Sequence, residues 1–189
     1  MKVLTLGEDI LRQKAVDVEE INDEIRELIG NMFTTLYAEN GIGLAAPQIG
    51  KSLRLFIIEL DDEIKRVFIN PQITATSQET SLYEEGCLSV PGVYNQVERP
   101  VAVTVQASDE NAKKFTLEAD GLLARAIQHE YDHLEGILYI DRTDADFKQK
   151  TIEIFARRAE RRQKREAEKK RKAAKIAAKK HITEKMPEE

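Results

Sequence analysis

The sequence predicts an α+β fold in which antiparallel β-sheets pack around a central helix. Helical periodicity comes first, several short β-prone runs follow it, and two further helical stretches close the chain. Because no helical stretch separates the β-prone runs, alternating βαβ units with a parallel sheet are not expected. The predicted architecture therefore has an N-terminal helix, antiparallel strands, a central helix and a long basic C-terminal helix.

The first elements follow from local patterns. Residues 2–6 predict a short strand, and Asn22 and Gly41 have the residue types that begin and end a helix. Apolar residues repeat at helical spacing between them: Ile25, Ile29, Met32, Phe33 and Leu36. The sequence therefore predicts the first helix between Asn22 and Gly41.

The middle of the chain predicts strands and the end predicts helices. The β-prone runs are residues 53–60, 67–73, 94–97, 101–107 and 113–118, with a bend at Asn70-Pro71. A second helix is predicted over residues 122–135, with Asp120 as its N-cap and Gly136 as its terminator. A third helix is predicted to begin near Asp144 and to continue into a basic segment.

Charge divides the chain into a body, residues 1–156, and a basic extension, residues 157–189. Between Arg157 and Lys180 there are 13 Lys or Arg and 3 Glu, a net of +10. The whole chain carries −5, so the remainder carries −15. Such an arm is typical of contact with a polyanion, and RNA is the usual cytoplasmic polyanion. The alternative is a solvated helix that keeps the protein soluble.

Composition also limits the class of protein. No apolar run approaches the roughly 20 residues that a membrane helix needs, and residues 2–6 do not resemble a targeting segment, so a cytoplasmic protein is expected. Cys87 is the single cysteine and cannot form an internal disulfide. Its role is therefore packing, redox chemistry, nucleophilic catalysis or metal ligation.

The segment His129-Glu130-Tyr131-Asp132-His133 is an H-E-x-x-H metal motif inside a predicted helix. Residues four apart project from one helix face, so both imidazoles can bind one cation. Glu130 lies one position along and can act as general base for a water molecule. Because its stripe of the helix is otherwise apolar, we expect its pKa to exceed that of a free glutamate. The alternative is a buried helix with two hydrogen-bonded histidines and a chance match.

A catalytic metal site normally has three protein ligands, and three positions could supply the third. The extended metzincin motif fails because Tyr139 stands where its third histidine belongs. Glu153, on the third helix, would complete a thermolysin-like protease site, although its neighbours do not match that family. Cys87 offers a thiolate within Glu85-Gly86-Cys87-Leu88-Ser89. A cysteine–histidine hydrolase would also use Cys87, but it would leave Glu130 and one histidine without roles.

Three motifs in order resemble the peptide deformylase family, over about residues 1–156. They are Gly41-Ile42-Gly43-Leu44-Ala45-Ala46-Pro47-Gln48, the segment Glu85 to Ser89, and Gln128 to Gly136. Ile69-Asn70-Pro71 is similar to a strand end of the same family. The resemblance implies hydrolytic removal of the formyl group from the N-terminal formyl-methionine of nascent polypeptides, with release of formate.

The resemblance also implies roles for individual residues. The metal ligands would be Cys87, His129 and His133, with Fe²⁺ as the working ion and Zn²⁺, Ni²⁺ or Co²⁺ as substitutes. The catalytic groups would be Glu130, the Gln48 amide and the Leu88 backbone N–H, the last two as donors to the developing oxyanion. Substrate contacts would come from Ile42, Gly43, Gly86 and Leu122. Glu85 and Arg99 match a supporting ion pair, whereas Tyr94 departs from a basic residue that is frequent in the family.

The resemblance implies partners as well. The substrate would be an N-formylated nascent peptide, and a basic C-terminal helix can dock members of the family on the ribosome. We expect a monomer with no membrane contact, and we expect His181 to be solvated. A rival of another class is a non-catalytic RNA-binding protein with a vestigial metal site.

Overall fold

The computed structural model describes the backbone of residues 1–183 and the side chains of residues 1–172. Three α-helices and seven β-strands are present in the described residues. The helices are α1 Asp23–Ala38, α2 Gly121–Leu134 and α3 Ala145–Thr183. The strands are β1 Gly43–Ala45, β2 Leu55–Ile58, β3 Arg66–Thr76, β4 Thr80–Gly86, β5 Tyr94–Pro100, β6 Ala102–Ser108 and β7 Lys114–Asp120. Short 3-10 helices lie at Asp9–Arg12, Ala46–Ile49 and Tyr139–Arg142.

The strands form two antiparallel sheets, which confirms the predicted α+β class. The larger sheet has the order β1-β2-β3-β6-β7, and the smaller one is the pair β4-β5. Helix α2 contacts strands of both sheets, and its apolar residues Ala124, Ala126, Ile127 and Leu134 enter the core beneath the larger one. The helix that carries the histidine pair is therefore central, as predicted.

One expectation near the N-terminus is wrong, and one is confirmed. Residues 2–6 form no strand, because their backbone hydrogen bonds go to two different segments and form no ladder. Leu4 N–H donates to Gln48 O, and Leu6 N–H donates to Ser89 O. The first helix begins as predicted, since the Asn22 side chain accepts from Ile25 N–H at 3.1 Å. It ends at Ala38, where Asn40 takes the left-handed conformation, with φ 52°, and Gly41 N–H donates to Leu36 O at 3.0 Å to close the helix end.

The strands predicted between residues 53 and 118 all occur, with shifted ends, but β1 and β4 were not predicted. Most side chains of β4 are exposed, so the strand lacks the apolar alternation that marks a half-buried strand. The predicted bend at Asn70-Pro71 is confirmed. Asn70 has φ 50°, and the register between β3 and β6 shifts between Ile69 and Gln72.

The predicted ends of α2 and α3 are confirmed in part. Asp120 is the N-cap residue of α2, but its side chain makes no capping hydrogen bond. Gly136 adopts φ 72°, and a Cβ there would lie 2.7 Å from the Arg12 carbonyl carbon, so glycine is required. The Asp144 side chain accepts from Phe147 N–H at 2.8 Å and begins α3.

Helix α3 changes character along its length. Phe155 is buried against Tyr139 and Ile140, whereas none of the side chains from Ala156 to Lys172 is buried. The expectation that His181 is solvated lies outside the described side chains. Of the helices in the described part of the chain, none is both long enough and apolar enough to cross a membrane.

Candidate active site

Helix α2 places two histidines side by side below a cleft. His129 and His133 are four residues apart on one face, and their ring centroids are 5.2 Å apart. His133 is 1% exposed, and within the described residues its Nδ1 atom has no hydrogen-bond partner. Burial, together with the neighbouring charge of His129, lowers the pKa of His133 well below its usual value. A neutral imidazole results, and that is the form that can bind a metal.

Cys87 completes a three-residue group at the point where β4 ends. Its Sγ atom lies 3.2 Å from His133 Nε2, and the candidate ligand atoms of Cys87, His129 and His133 all lie within 4.8 Å of one another. A thiolate with two imidazoles is a donor set that suits Zn²⁺, Fe²⁺ and related ions. The residues therefore fit a metal site in which the sulfur and both rings point toward the same space.

Glu85 orients one of the candidate ligands. Its Oε2 atom lies 2.9 Å from His129 Nδ1, which leaves Nε2 as the nitrogen that could ligate a metal. Burial opposes a charge on His129, but Cys87 and Glu85 outweigh it and raise the His129 pKa. Surroundings that favour a proton on this ring also favour a cation beside it.

Glu85 is itself part of a buried ion network. It forms a bidentate pair with Arg99, with distances of 2.7 and 3.0 Å, and this confirms the predicted ion pair. Arg99 also donates to Asp132 at 2.7 Å, and Arg125 donates to Glu85 at 3.0 Å. Burial opposes the charge on Glu85, but His129 and Arg99 outweigh it and lower its pKa. Glu85 is thus held as a carboxylate.

Sequence reasoning assigned no role to Arg125 or Asp132. Both belong to a stripe of polar residues on α2, together with Gln128 and Glu135, yet both are buried against charged partners. The sequence did offer one indication of a buried charge: Asp132 lies inside the metal motif, between Glu130 and His133. Asp132 reaches the candidate ligands indirectly, through Arg99, which also holds Glu85.

Glu130 is buried beside the candidate ligands. Among the described residues its Oε2 atom has no hydrogen-bond partner, and burial raises the pKa of Glu130 to about 7, in the predicted direction. A Cβ at Gly43 would lie 2.4 Å from Glu130 Oε1, so only glycine permits this approach. Gly41 and Gly43 do not have positive φ, so close approach is the reason for glycine at Gly43.

Gln48 lines the same cleft as Glu130. Its Oε1 atom accepts from Ala45 N–H at 2.7 Å, which fixes the orientation of the amide. Its Nε2 atom is 3.2 Å from Ser89 Oγ and 3.6 Å from Cys87 Sγ. The amide N–H groups are therefore directed to the same space as the candidate ligands.

A cleft of about 440 Å³ opens above the group, and most of the predicted site residues line it. These residues are Ile42, Gly43, Gln48, Gly86, Cys87, Leu88, Leu122, His129 and Glu130. Ile42 and Leu122 are 42% and 43% exposed, which places apolar surface at the rim. His133 lies below the cleft. Tyr94 covers Gly86, since a Cβ at Gly86 would lie 2.5 Å from its ring.

The alternative third ligand, Glu153, lies elsewhere. It is exposed on α3, where it accepts from Gln149 and pairs with Arg157. Among the described side chains it is not in the group of possible metal ligands. The protease alternative therefore lacks its third ligand.

Known proteins resemble this chain over its body. The family model described as polypeptide deformylase matches residues 1–149. A peptide deformylase from Treponema pallidum (strain Nichols) is 47% identical over 156 residues, which is 82% of this chain and 96% of that protein. A solved peptide deformylase from Synechococcus elongatus, in complex with actinonin, is 44% identical with a TM-score of 0.78, covering 82% of this chain and 88% of that one. A solved peptide deformylase from Legionella pneumophila is 41% identical with a TM-score of 0.77, covering 85% of this chain and 97% of that one.

Proposed function

The chain belongs to the polypeptide deformylase family, and we propose that Cys87, His129 and His133 hold one metal ion for its reaction. Members of the family remove the N-formyl group from nascent chains, and that is the function of this protein. The observation that carries the metal proposal is the convergence of three ligand atoms within 4.8 Å at the base of the cleft. Fe²⁺ is the proposed ion, and Zn²⁺, Ni²⁺ and Co²⁺ suit the same donors.

The cleft positions the substrate. We propose that the formyl-methionine side chain packs against Ile42 and Leu122, whose exposed apolar surface lies at the rim. Gly43 and Gly86 line the same cleft, and we propose that their backbone groups hydrogen-bond to an extended peptide. In this proposal the formyl group lies between Gln48 and Glu130, which line the same cleft.

Two donors are proposed to stabilise the oxyanion that forms on the formyl oxygen. One is the Gln48 amide, whose orientation is fixed by Ala45 N–H. The other is the backbone N–H of Leu88, next to Cys87 in the cleft. Donors that are oriented before the reaction stabilise developing charge without reorganisation, and this is the source of their effect on rate.

Glu130 is proposed to move the protons. Its buried carboxylate accepts a proton from the attacking water and then donates it to the departing amine, which leaves formate and a free N-terminus. A cation held by Cys87, His129 and His133 would supply Lewis acidity at this position. Burial of the carboxylate keeps bulk water from competing for its proton.

Removal of the metal tests the proposed site directly. After anaerobic treatment with a chelator, the chain is expected to lose hydrolysis of formyl-Met-Ala, and one equivalent of Fe²⁺ is expected to restore it. Metal content is measured by elemental analysis in the same samples. If the chelated chain contains no metal and still hydrolyses the peptide at the original rate, the metal proposal is wrong. An untreated chain that contains metal but does not hydrolyse the peptide would support the vestigial site of an RNA-binding protein.

We propose that the basic extension, residues 157–189, docks the enzyme on ribosomal RNA in the cytoplasm. The net charge of +10 between Arg157 and Lys180 supports this, as does the absence of buried side chains from Ala156 to Lys172. Each phosphate that a Lys or Arg neutralises releases counterions, so the binding should weaken steeply with salt.

Deleting the chain from Arg157 onward is expected to abolish co-sedimentation with ribosomes at low salt. The kcat for formyl-Met-Ala is expected to remain unchanged, because Phe155, the last buried residue among the described side chains of α3, is retained. The matched control replaces Glu160, Glu166 and Glu168 with glutamine, which raises the net charge of the arm and should strengthen binding. Ribosome binding that persists after the deletion would contradict the proposal.

A further inference from the structure

We propose that Arg125 is a positioning residue: it holds the β4–β5 pair against α2 and so sets Cys87 relative to His129 and His133. The inference rests on the metal site proposed above. Helix α2 supplies two of the three ligands, and the loop after β4 supplies the third. A link between these elements therefore determines whether the three ligand atoms meet.

Arg125 provides such a link with a single side chain. It is 7% exposed, and its Nη1 atom donates to Glu85 Oε1 at 3.0 Å and to Val97 O at 2.8 Å. Its Nη2 atom donates to Ser81 O at 2.8 Å and to Ser81 Oγ at 2.9 Å. One guanidinium on α2 thus contacts β4 near both of its ends and β5 near its middle.

The contact with Glu85 connects Arg125 to the ligands themselves. Glu85 holds His129 Nδ1 through its other oxygen, and Cys87 follows Glu85 by two residues. Arg125 precedes His129 by four residues and lies on the same side of α2. Arg99 also holds Glu85, so we expect loss of Arg125 to weaken the site without abolishing it.

Arg125 also lines the cleft, which offers a second explanation for any effect on activity. Its guanidinium carbon lies 5.8 Å from the centroid of the Tyr83 ring, at the cleft wall. A wall residue would alter KM for the peptide and leave the metal affinity unchanged. A positioning residue alters the metal affinity even when no peptide is present.

Arg54 provides the matched control. It is 8% exposed, pairs with Glu135 at the end of α2 and donates to Pro71 O, so it too is a buried arginine at α2. Its partners lie outside the candidate metal group. Loss of either arginine should lower the unfolding temperature, but only loss of Arg125 should affect metal binding.

The experiment titrates metal-free protein with Co²⁺ under anaerobic conditions and follows the absorption band of the cysteine thiolate bound to cobalt. Arg125→Met is expected to weaken the Co²⁺ affinity by up to about 10-fold, the lower end of the loss for a direct partner of a ligand, because Arg125 acts through Glu85. Arg54→Met should retain the affinity of the unchanged chain. Circular dichroism verifies that both variants are folded during the titration.

Several outcomes would overturn the inference. If folded Arg125→Met binds Co²⁺ as tightly as the unchanged chain, or if Arg54→Met loses as much affinity, Arg125 has no positioning role. Should Arg125→Met not fold, the comparison of Arg125→Lys with Arg54→Lys decides by the same criterion. An unchanged chain that does not bind Co²⁺ through Cys87 would instead refute the metal site itself.

Discussion

Replacing Glu130 with glutamine is expected to lower kcat for formyl-Met-Ala by about 10²–10⁴-fold, with little change in the metal content. The substitution keeps the size of the side chain and removes its ability to accept a proton. Glu130 is buried and faces the cleft, and Gly43 leaves room for its carboxylate, so an amide of the same shape fits. Glu130 is not among the three candidate ligands, and the metal should therefore remain bound.

Glu135→Gln is the matched control for this experiment. Glu135 follows the last turn of the same helix and pairs with Arg54 and Lys14 away from the cleft. Its replacement should leave kcat unchanged and lower the unfolding temperature slightly. If Glu130→Gln keeps more than a tenth of the original kcat, another group must take the proton from water.

Local signals predicted the helices better than the sheets. Asn22 and Gly136 specify chain conformation within a few residues, so they could be recognised without knowledge of the fold. Strand β4 could not, because its exposed side chains are arranged by pairing with β5 and by contacts with α2. Residues 2–6 have strand-like composition but find no partner strand. Tertiary contacts determine the conformation of such segments, and composition alone does not reveal those contacts.

The site was predictable where chemistry follows from spacing or from a family motif. The four-residue separation of His129 and His133 placed both rings on one face, and the structure brings Cys87 to them across 46 positions of sequence. Arg125 was not recognised because an arginine on a polar helix stripe normally faces solvent. Its burial depends on Ser81 and Val97, which lie in strands distant along the chain.

Replacing Cys87 with alanine is expected to remove most of the bound metal and to abolish hydrolysis of formyl-Met-Ala. The loss of metal affinity should exceed the 10- to 100-fold that follows from loss of an outer partner, because a ligand itself is removed. The fold should persist, since Cys87 is only partly buried and Val90, Val97 and Tyr139 fill the core beside it. Metal per chain, measured after anaerobic purification, is the deciding quantity.

The activity and the metal content of the Cys87→Ala variant together separate three mechanisms. In the deformylase mechanism the variant is inactive and lacks metal, whereas Glu130→Gln is inactive and retains it. A nucleophilic Cys87 would give an inactive variant that keeps its metal, because the sulfur would then attack the substrate and bind no ion. A protease site with Glu153 as ligand would keep its metal without Cys87 and lose it in Glu153→Ala. Since Glu153 is exposed and paired with Arg157, we expect Glu153→Ala to retain both metal and activity.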